Sequence, residues 1–134
     1  MTDFTIKNLV SDVEDAAPNA GMAPHVEARF ARSELDAEHM GISYQRLAPN
    51  ARLPFGHKHA KQEEIYVVVD GSGRVSLDAD VRDIRAWDAV RVGPDTVRCF
   101  EAGPDGLALL AVGAPFEGAN DAELIPGWWP DGDY

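Results

Sequence analysis

Cysteine, long apolar runs and positive charge are all scarce in this sequence of 134 residues. The one cysteine, Cys99, excludes an intrachain disulfide and fits a reducing compartment. No stretch approaches the roughly 18 consecutive apolar residues that a membrane-spanning helix needs. The segment Met1 to Val10 lacks the apolar run of a secretory signal. We therefore expect a cytoplasmic protein.

Basic residues are outnumbered by acidic ones, 12 to 23, which gives a formal net charge of −11. Beyond Arg98 the chain contains no lysine or arginine at all. A field of this sign repels nucleic-acid backbones and anionic lipid surfaces. We expect neither a nucleic acid nor a membrane as a partner.

The length suits one domain, 1–134, with a single core. Twelve glycines and nine prolines interrupt the chain at short intervals, which favours strands over long helices. We predict an all-β fold whose barrel core covers residues 25–113. Residues 1–24 are expected to form an irregular arm, and 114–134 an irregular tail rich in aromatic residues.

Turn signals divide the predicted core into about eight or nine short strands. Asp70-Gly71-Ser72-Gly73 follows the apolar run 65–69 and predicts a tight hairpin. Gly103-Pro104-Asp105-Gly106 is expected to separate a strand at 96–101 from another at 107–112. Strands spaced about ten residues apart are typical of an antiparallel sandwich or small barrel.

The chemistry is concentrated in one segment that contains His57, His59 and Glu64. On a strand, side chains repeat with period two, so both imidazoles point to the same face. After a bend, Glu64 can deliver a carboxylate from the next strand. Two histidines and one carboxylate are a ligand set for divalent metals that leaves coordination positions open.

This segment resembles the first motif of the cupin superfamily. That motif is a glycine, five residues, His-x-His, three or four residues, a glutamate, six residues and a glycine. His57, His59, Glu64 and Gly71 fit it, while Ala51 stands at the leading glycine. Glu63 is the alternative glutamate, but Glu64 gives the right distance to the closing glycine.

A second cupin motif is matched in part by residues 87–98. Asp88, Pro94 and Thr96 stand where that motif has them, but Trp87 replaces its glycine. Arg98 stands where the motif places a third metal-binding histidine. The chain as a whole resembles small single-domain bacterial cupins. This resemblance implies an antiparallel jelly-roll barrel whose motif side chains project inward; the family's many activities imply a pocket rather than one reaction.

Arg98 leaves two interpretations open, because a permanently protonated guanidinium cannot be a metal ligand. It can pair with Glu64 and leave the site without metal. Alternatively, His57, His59 and Glu64 retain one divalent ion, either Fe, Mn, Ni or Zn, and Arg98 anchors a small anionic substrate through its carboxylate or phosphate. Tyr66, Gln62 and Phe100 are expected beside Arg98 in the ligand pocket, Gln62 also as a weak metal ligand.

We therefore predict a small-molecule-binding barrel, either a metal-dependent enzyme or a metal-free binding or dimerisation module. A homodimer is expected, with the N-terminal arm or the Trp128-Trp129 pair at its interface. His25 and His39 are expected to be ordinary surface or core side chains, and Cys99 a small buried one.

Overall fold

The protein was analysed as a computed structural model, which describes residues 2–130. Within that range it has no α-helix, only two three-residue 3₁₀ turns at Pro18–Ala20 and Ala119–Asp121. It has eight strands: β1 (Val26–Phe30), β2 (Gly41–Leu47), β3 (Phe55–His59), β4 (Glu63–Leu77), β5 (Asp80–Arg85), β6 (Ala89–Val92), β7 (Arg98–Ala114) and β8 (Ala122–Pro126). The predicted all-β class is confirmed.

Two long strands, β4 and β7, pair with each other along most of their length and organise the jelly roll. The first part of β4 also pairs with β6, and its last part pairs with β5. The last part of β7 pairs with β2, which carries β1 at its outer side. The first residue of β7 pairs with β3, which carries β8. All these pairings are antiparallel, as expected for the fold that the cupin motifs imply.

The core is formed by the inward positions of the two long strands and of the shorter strands beside them. Tyr66, Val68 and Val75 of β4 are almost fully buried, as are Phe100 and Leu109 of β7. Residues 66 and 68 show the period of two expected for a strand that has one face on a core. Burial of one such large apolar side chain stabilises the fold by about 1.5–3 kcal/mol.

The two turns predicted at residues 70–73 and 103–106 are both wrong. Residues 70–73 do not form a hairpin: β4 continues through them, with register shifts after Val68 and after Gly71. Likewise, residues 103–106 lie within the continuous strand β7. Gly71 has a φ of +76° and Gly73 lies opposite Ala102, so the local turn residues form bulges where the two bent strands approach closely.

Trp87 occupies the position where the second motif has glycine. Its φ is +74°, in the left-handed region that favours glycine, and its side chain is 76% exposed. The backbone of this chain therefore keeps the turn of that motif, although the residue differs.

The C-terminal tail is more regular than expected, because its first part forms strand β8 along the edge of β3. Beyond β8, Trp129 is 3% exposed, and the Arg52 guanidinium carbon lies 4.3 Å from its ring centroid. Arg52 and Arg74 both bind the carboxylate of Glu101, at 2.6 and 2.7 Å. The tail is thus held against the barrel of its own chain.

The N-terminal arm lacks strands, as expected, but its end is fastened to β1 by Asp15. The Asp15 carboxylate accepts hydrogen bonds from the backbone N–H groups of Ala17 and Ala28, both at 2.9 Å. Nearer the N-terminus, Phe4 and Ile6 are 70% and 83% exposed. The homodimer stays a prediction, and the arm offers Phe4, Ile6 and the 51% exposed Val10 as apolar surface for it. None of the helices in residues 2–130 has the length and apolar character needed to cross a membrane.

The close approach of β4 and β7 predicts that Gly73→Ala destabilises the protein. A Cβ atom at Gly73 would overlap the carbonyl oxygen of Glu101, which is backbone and cannot move aside cheaply. We expect the free energy of unfolding to fall by about 1–3 kcal/mol in urea denaturation. The control is Gly93→Ala, where an added Cβ meets nothing within 4 Å and the change should stay within about 0.5 kcal/mol. Equal effects at the two positions would contradict this account of the bulges.

Candidate functional site

Strand β3 presents two imidazoles to the interior, as its period of two predicts. The ring centroids of His57 and His59 are 5.2 Å apart and their planes are nearly perpendicular. Their Nε2 atoms approach the same carboxylate oxygen, Oε1 of Glu64, at 3.2 and 3.1 Å. The ligand atoms of the three residues lie within 4.8 Å of one another, so one metal ion can reach all of them.

Glu64 lies at the start of β4, between Val92 of β6 and Gly113 of β7. The neighbouring Glu63 points away from the barrel interior and pairs with Arg91 of β6 at 2.8 Å. The structure thus brings Glu64, and not Glu63, to the two histidines. The spacing to Gly71 selected the same residue from sequence.

Oε1 of Glu64 also accepts a hydrogen bond from the Tyr66 hydroxyl at 2.6 Å, and Nη2 of Arg98 lies 3.5 Å from it. Burial alone would raise the pKa of Glu64, but the hydrogen bonds from His57, His59 and Tyr66 outweigh burial and hold this pKa well below its usual range. Burial, and then the charge of Glu64, raises the pKa of Tyr66 well above its usual value. At neutral pH the pair is therefore a carboxylate that accepts and a phenol that donates.

Arg98 is 1% exposed and points inward, as its alignment with the missing histidine predicts. Its Nη1 donates to the carbonyl oxygens of Thr96 at 2.8 Å and of Pro94 and His57 at 3.3 Å. Nη2 reaches the carbonyl oxygen of Gly93 at 3.5 Å. The guanidinium therefore fastens the loop before β7 to strand β3, while its charge faces Glu64.

Asp121 completes the surroundings of His59 from the second 3₁₀ turn. Its Oδ2 lies 3.2 Å from Nδ1 of His59, and its two oxygens accept the backbone N–H groups of Lys61 and Gln62 at 2.9 and 3.1 Å. Burial would raise the pKa of Asp121, but the two backbone hydrogen bonds and the contact with His59 lower it. Sequence reasoning missed this residue, because 62 residues separate it from His59 and no motif includes it.

A cavity of about 510 Å³ borders the three converging residues. That volume lies in the usual range for small-molecule sites. His57, His59 and Glu64 are among its polar lining, together with the predicted Gln62. Most of the rest of the lining is apolar, and its larger members are Phe30, Ile42, Leu53, Phe55, Phe100, Phe116 and Leu124.

The four predicted pocket residues divide into two pairs. Gln62 and Phe100 line the cavity, whereas Tyr66 and Arg98 lie outside its lining and contact Glu64 from the protein side. The Phe100 ring packs on that of Tyr66, with 4.8 Å between centroids. Gly113 makes room for Gln62, because a Cβ there would lie 2.6 Å from the amide nitrogen.

The contacts of Arg98 predict a large loss of stability in Arg98→Met. Methionine leaves buried carbonyl groups and Glu64 without their donor, and removal of one partner of a buried ion pair costs about 3–5 kcal/mol. The control is Arg91→Met, which removes an arginine whose side chain is 66% exposed and should change stability by less than about 1 kcal/mol. Chemical denaturation of both variants checks the prediction, which a loss in Arg98→Met no larger than in Arg91→Met would refute.

No protein-family model matches the chain. Among curated proteins, the uncharacterized protein MJ1618 of Methanocaldococcus jannaschii is 30% identical over 70 residues. The matched stretch covers 52% of this chain and 56% of that protein, so the chain spans little more than half the length of this relative.

Solved structures give a broader match. A cupin protein, BF4112, from Bacteroides fragilis is 23% identical, with a TM-score of 0.70 over 88% of this chain and 92% of that one. Oxalate decarboxylase from Bacillus subtilis is 22% identical, with a TM-score of 0.73 over 92% of this chain and 34% of that one. The fold of this chain is that of a small cupin-type protein.

Proposed function

We propose that this protein is a metal-dependent cupin that binds a small, largely apolar molecule beside one divalent ion. The observation that carries the proposal is the convergence of His57, His59 and Glu64 on the border of a cavity of about 510 Å³. Ligand pockets of this size commonly combine an apolar lining with a few convergent polar groups.

The distance from each histidine to the carboxylate fits a metal ion. Two ligands at about 2.1 Å from an ion and at right angles to each other are about 3.0 Å apart. The Nε2–Oε1 distances of 3.2 and 3.1 Å are close to that value. Two histidines with one carboxylate suit iron, manganese, nickel or zinc, and the donor set does not select among them.

Asp121 supports the same proposal through the orientation of His59. A carboxylate opposite Nδ1 favours the tautomer that carries its proton there, which leaves the Nε2 lone pair directed toward Glu64. A cation between Nε2 of His59 and Oε1 of Glu64, which are 3.1 Å apart, would bind to both atoms. Asp121 would thus hold His59 in the orientation in which Nε2 can bind an ion.

Different side chains of the cavity would contact different parts of the ligand. An ion held by His57, His59 and Glu64 would act as a Lewis acid at the border of the cavity. Phe100 and the other large apolar side chains exclude water and hold the apolar part of the ligand. Gln62, which is 7% exposed, offers an amide that can donate to or accept from a polar ligand atom. An oxalate decarboxylase among the structural neighbours supports a catalytic use of such a cavity.

A second candidate function is a metal-free binding module, and the contact between Arg98 and Glu64 favours it. A guanidinium 3.5 Å from Oε1 neutralises the carboxylate and repels a divalent ion. In that case the histidines, Tyr66 and Glu64 form a hydrogen-bonded polar end of the cavity, and recognition of the ligand is the function.

Metal content separates the two candidates. In protein purified without a metal-affinity tag, we expect elemental analysis to find about one divalent ion per chain, as a site with three protein ligands implies. His57→Ala should weaken binding of added Zn²⁺ by more than about 100-fold in titration calorimetry, since it removes a ligand. The control is His39→Ala, because that side chain is 92% exposed and lies outside the cavity lining. Native protein that neither contains an ion nor binds Zn²⁺ would contradict the metal-dependent proposal, and the metal-free binding module would remain.

Asp121→Asn tests the support of His59 separately from the ligands. Asparagine keeps an acceptor for one backbone N–H group but loses the charge opposite Nδ1, so we expect Zn²⁺ affinity to fall by about 10–100-fold. Asp95→Asn makes the same change at a side chain that is 94% exposed and pairs with Lys58. Titration calorimetry of the two variants should show a loss for Asp121→Asn and less than about a twofold change for Asp95→Asn. Equal affinities would mean that Asp121 does not position His59.

A further inference from the structure

The cavity meets solvent beside the end of strand β1. Phe30 and Leu124 line it and are 59% and 60% exposed, so they mark its opening. Arg32, two residues beyond Phe30, lines the cavity as well and is half-buried. The opening thus combines apolar surface with one guanidinium group.

Arg32 carries a charge that no carboxylate of the described chain balances. It is the one lysine or arginine side chain among the described residues that line the cavity. Its guanidinium carbon lies 4.3 Å from the ring centroid of Phe116, a contact that holds the group in place without neutralising it. Its Nε is buried and has no hydrogen-bond partner within residues 2–130. A buried donor without a partner costs free energy until an acceptor arrives.

Arg98 cannot serve this purpose as the sequence suggested, because its Nη atoms bind backbone carbonyl groups and its charge faces Glu64. It also lies outside the cavity lining. The whole chain carries a formal net charge of −11, so its general field repels anions. An anionic ligand therefore needs a local positive group, and the opening supplies one.

We propose that Arg32 binds the anionic group of the ligand, and that the ligand is an amphipathic anion whose apolar body fills the cavity. A carboxylate, sulfonate or phosphate can accept from the Nε and Nη groups of Arg32 in a bidentate contact. The apolar body then lies among Phe30, Leu124 and Phe100 toward the two histidines. This assignment rests on the proposed function in one respect, that the cavity binds a small molecule.

Two fluorescent probes with the same apolar body test the assignment. 1-Anilinonaphthalene-8-sulfonate carries a sulfonate, and N-phenyl-1-naphthylamine is the same body without it. We expect the native chain to bind both at one site, where each displaces the other, and to bind the sulfonate at least tenfold more tightly. Added salt should weaken binding of the sulfonate and leave binding of the neutral probe unchanged.

Arg32→Met should weaken binding of the sulfonate probe at least tenfold and binding of the neutral probe less than twofold. Arg32→Lys, which keeps the charge but not the planar fork, should lie between native and Arg32→Met for the sulfonate. The control is Arg85→Met, which makes the same change in net charge at an exposed position of β5 outside the cavity and should alter neither affinity.

Each outcome decides a different claim. If Arg32→Met weakens both probes equally, or neither, Arg32 does not select the anion, although the cavity still binds a small molecule. If the native chain binds neither probe, the cavity is not a ligand site and the proposed function fails as well. Should Arg32→Met not fold, the Arg32→Lys affinity and the salt dependence of the native chain decide. The assignment is overturned if Arg32→Lys binds the sulfonate as tightly as the native chain does and added salt does not weaken that binding.

Discussion

One carboxylate oxygen, Oε1 of Glu64, connects side chains of three strands inside this barrel. It lies 2.6–3.5 Å from polar atoms of His57, His59, Tyr66 and Arg98, which come from strands β3, β4 and β7. A carboxylate taken out of water is costly unless such contacts compensate it. Because these contacts come from three strands, the carboxylate can be fully satisfied only when those strands have the observed register. The same oxygen is the point at which the fold and the proposed metal site depend on each other.

Arg98 changes the balance of charge around Glu64. A histidine at its position would be neutral and could ligate, whereas the guanidinium is permanently charged. The carbonyl dipoles of Thr96, Pro94 and His57 offset part of that charge. The contacts of Glu64 thus favour opposite states, because the two imidazoles and the carboxylate form a ligand set for a cation, whereas Arg98 already supplies a positive charge. The metal content of the protein reports which of them prevails.

The sequence predicted the parts of this structure that depend on short-range pattern. The period of two placed His57 and His59 on one face, and the spacing to Gly71 selected Glu64 over Glu63. Predictions failed where distant backbone contacts decide the outcome. The glycines of residues 70–73 form bulges rather than a turn because β7 approaches them, which no local rule reveals. Asp121 reaches His59 only because β8 pairs with β3. The carbonyl contacts of Arg98 depend on the shape of the loop before β7 and on its distance from β3.

The contact between Asp121 and His59 also fixes when, during biosynthesis, the site can be completed. A ribosome adds His57, His59 and Glu64 well before it adds Asp121 and the strand that follows. Until β8 has emerged, one edge of β3 lacks its neighbour and His59 lacks its carboxylate. A nascent chain therefore exposes its histidines before it can orient His59.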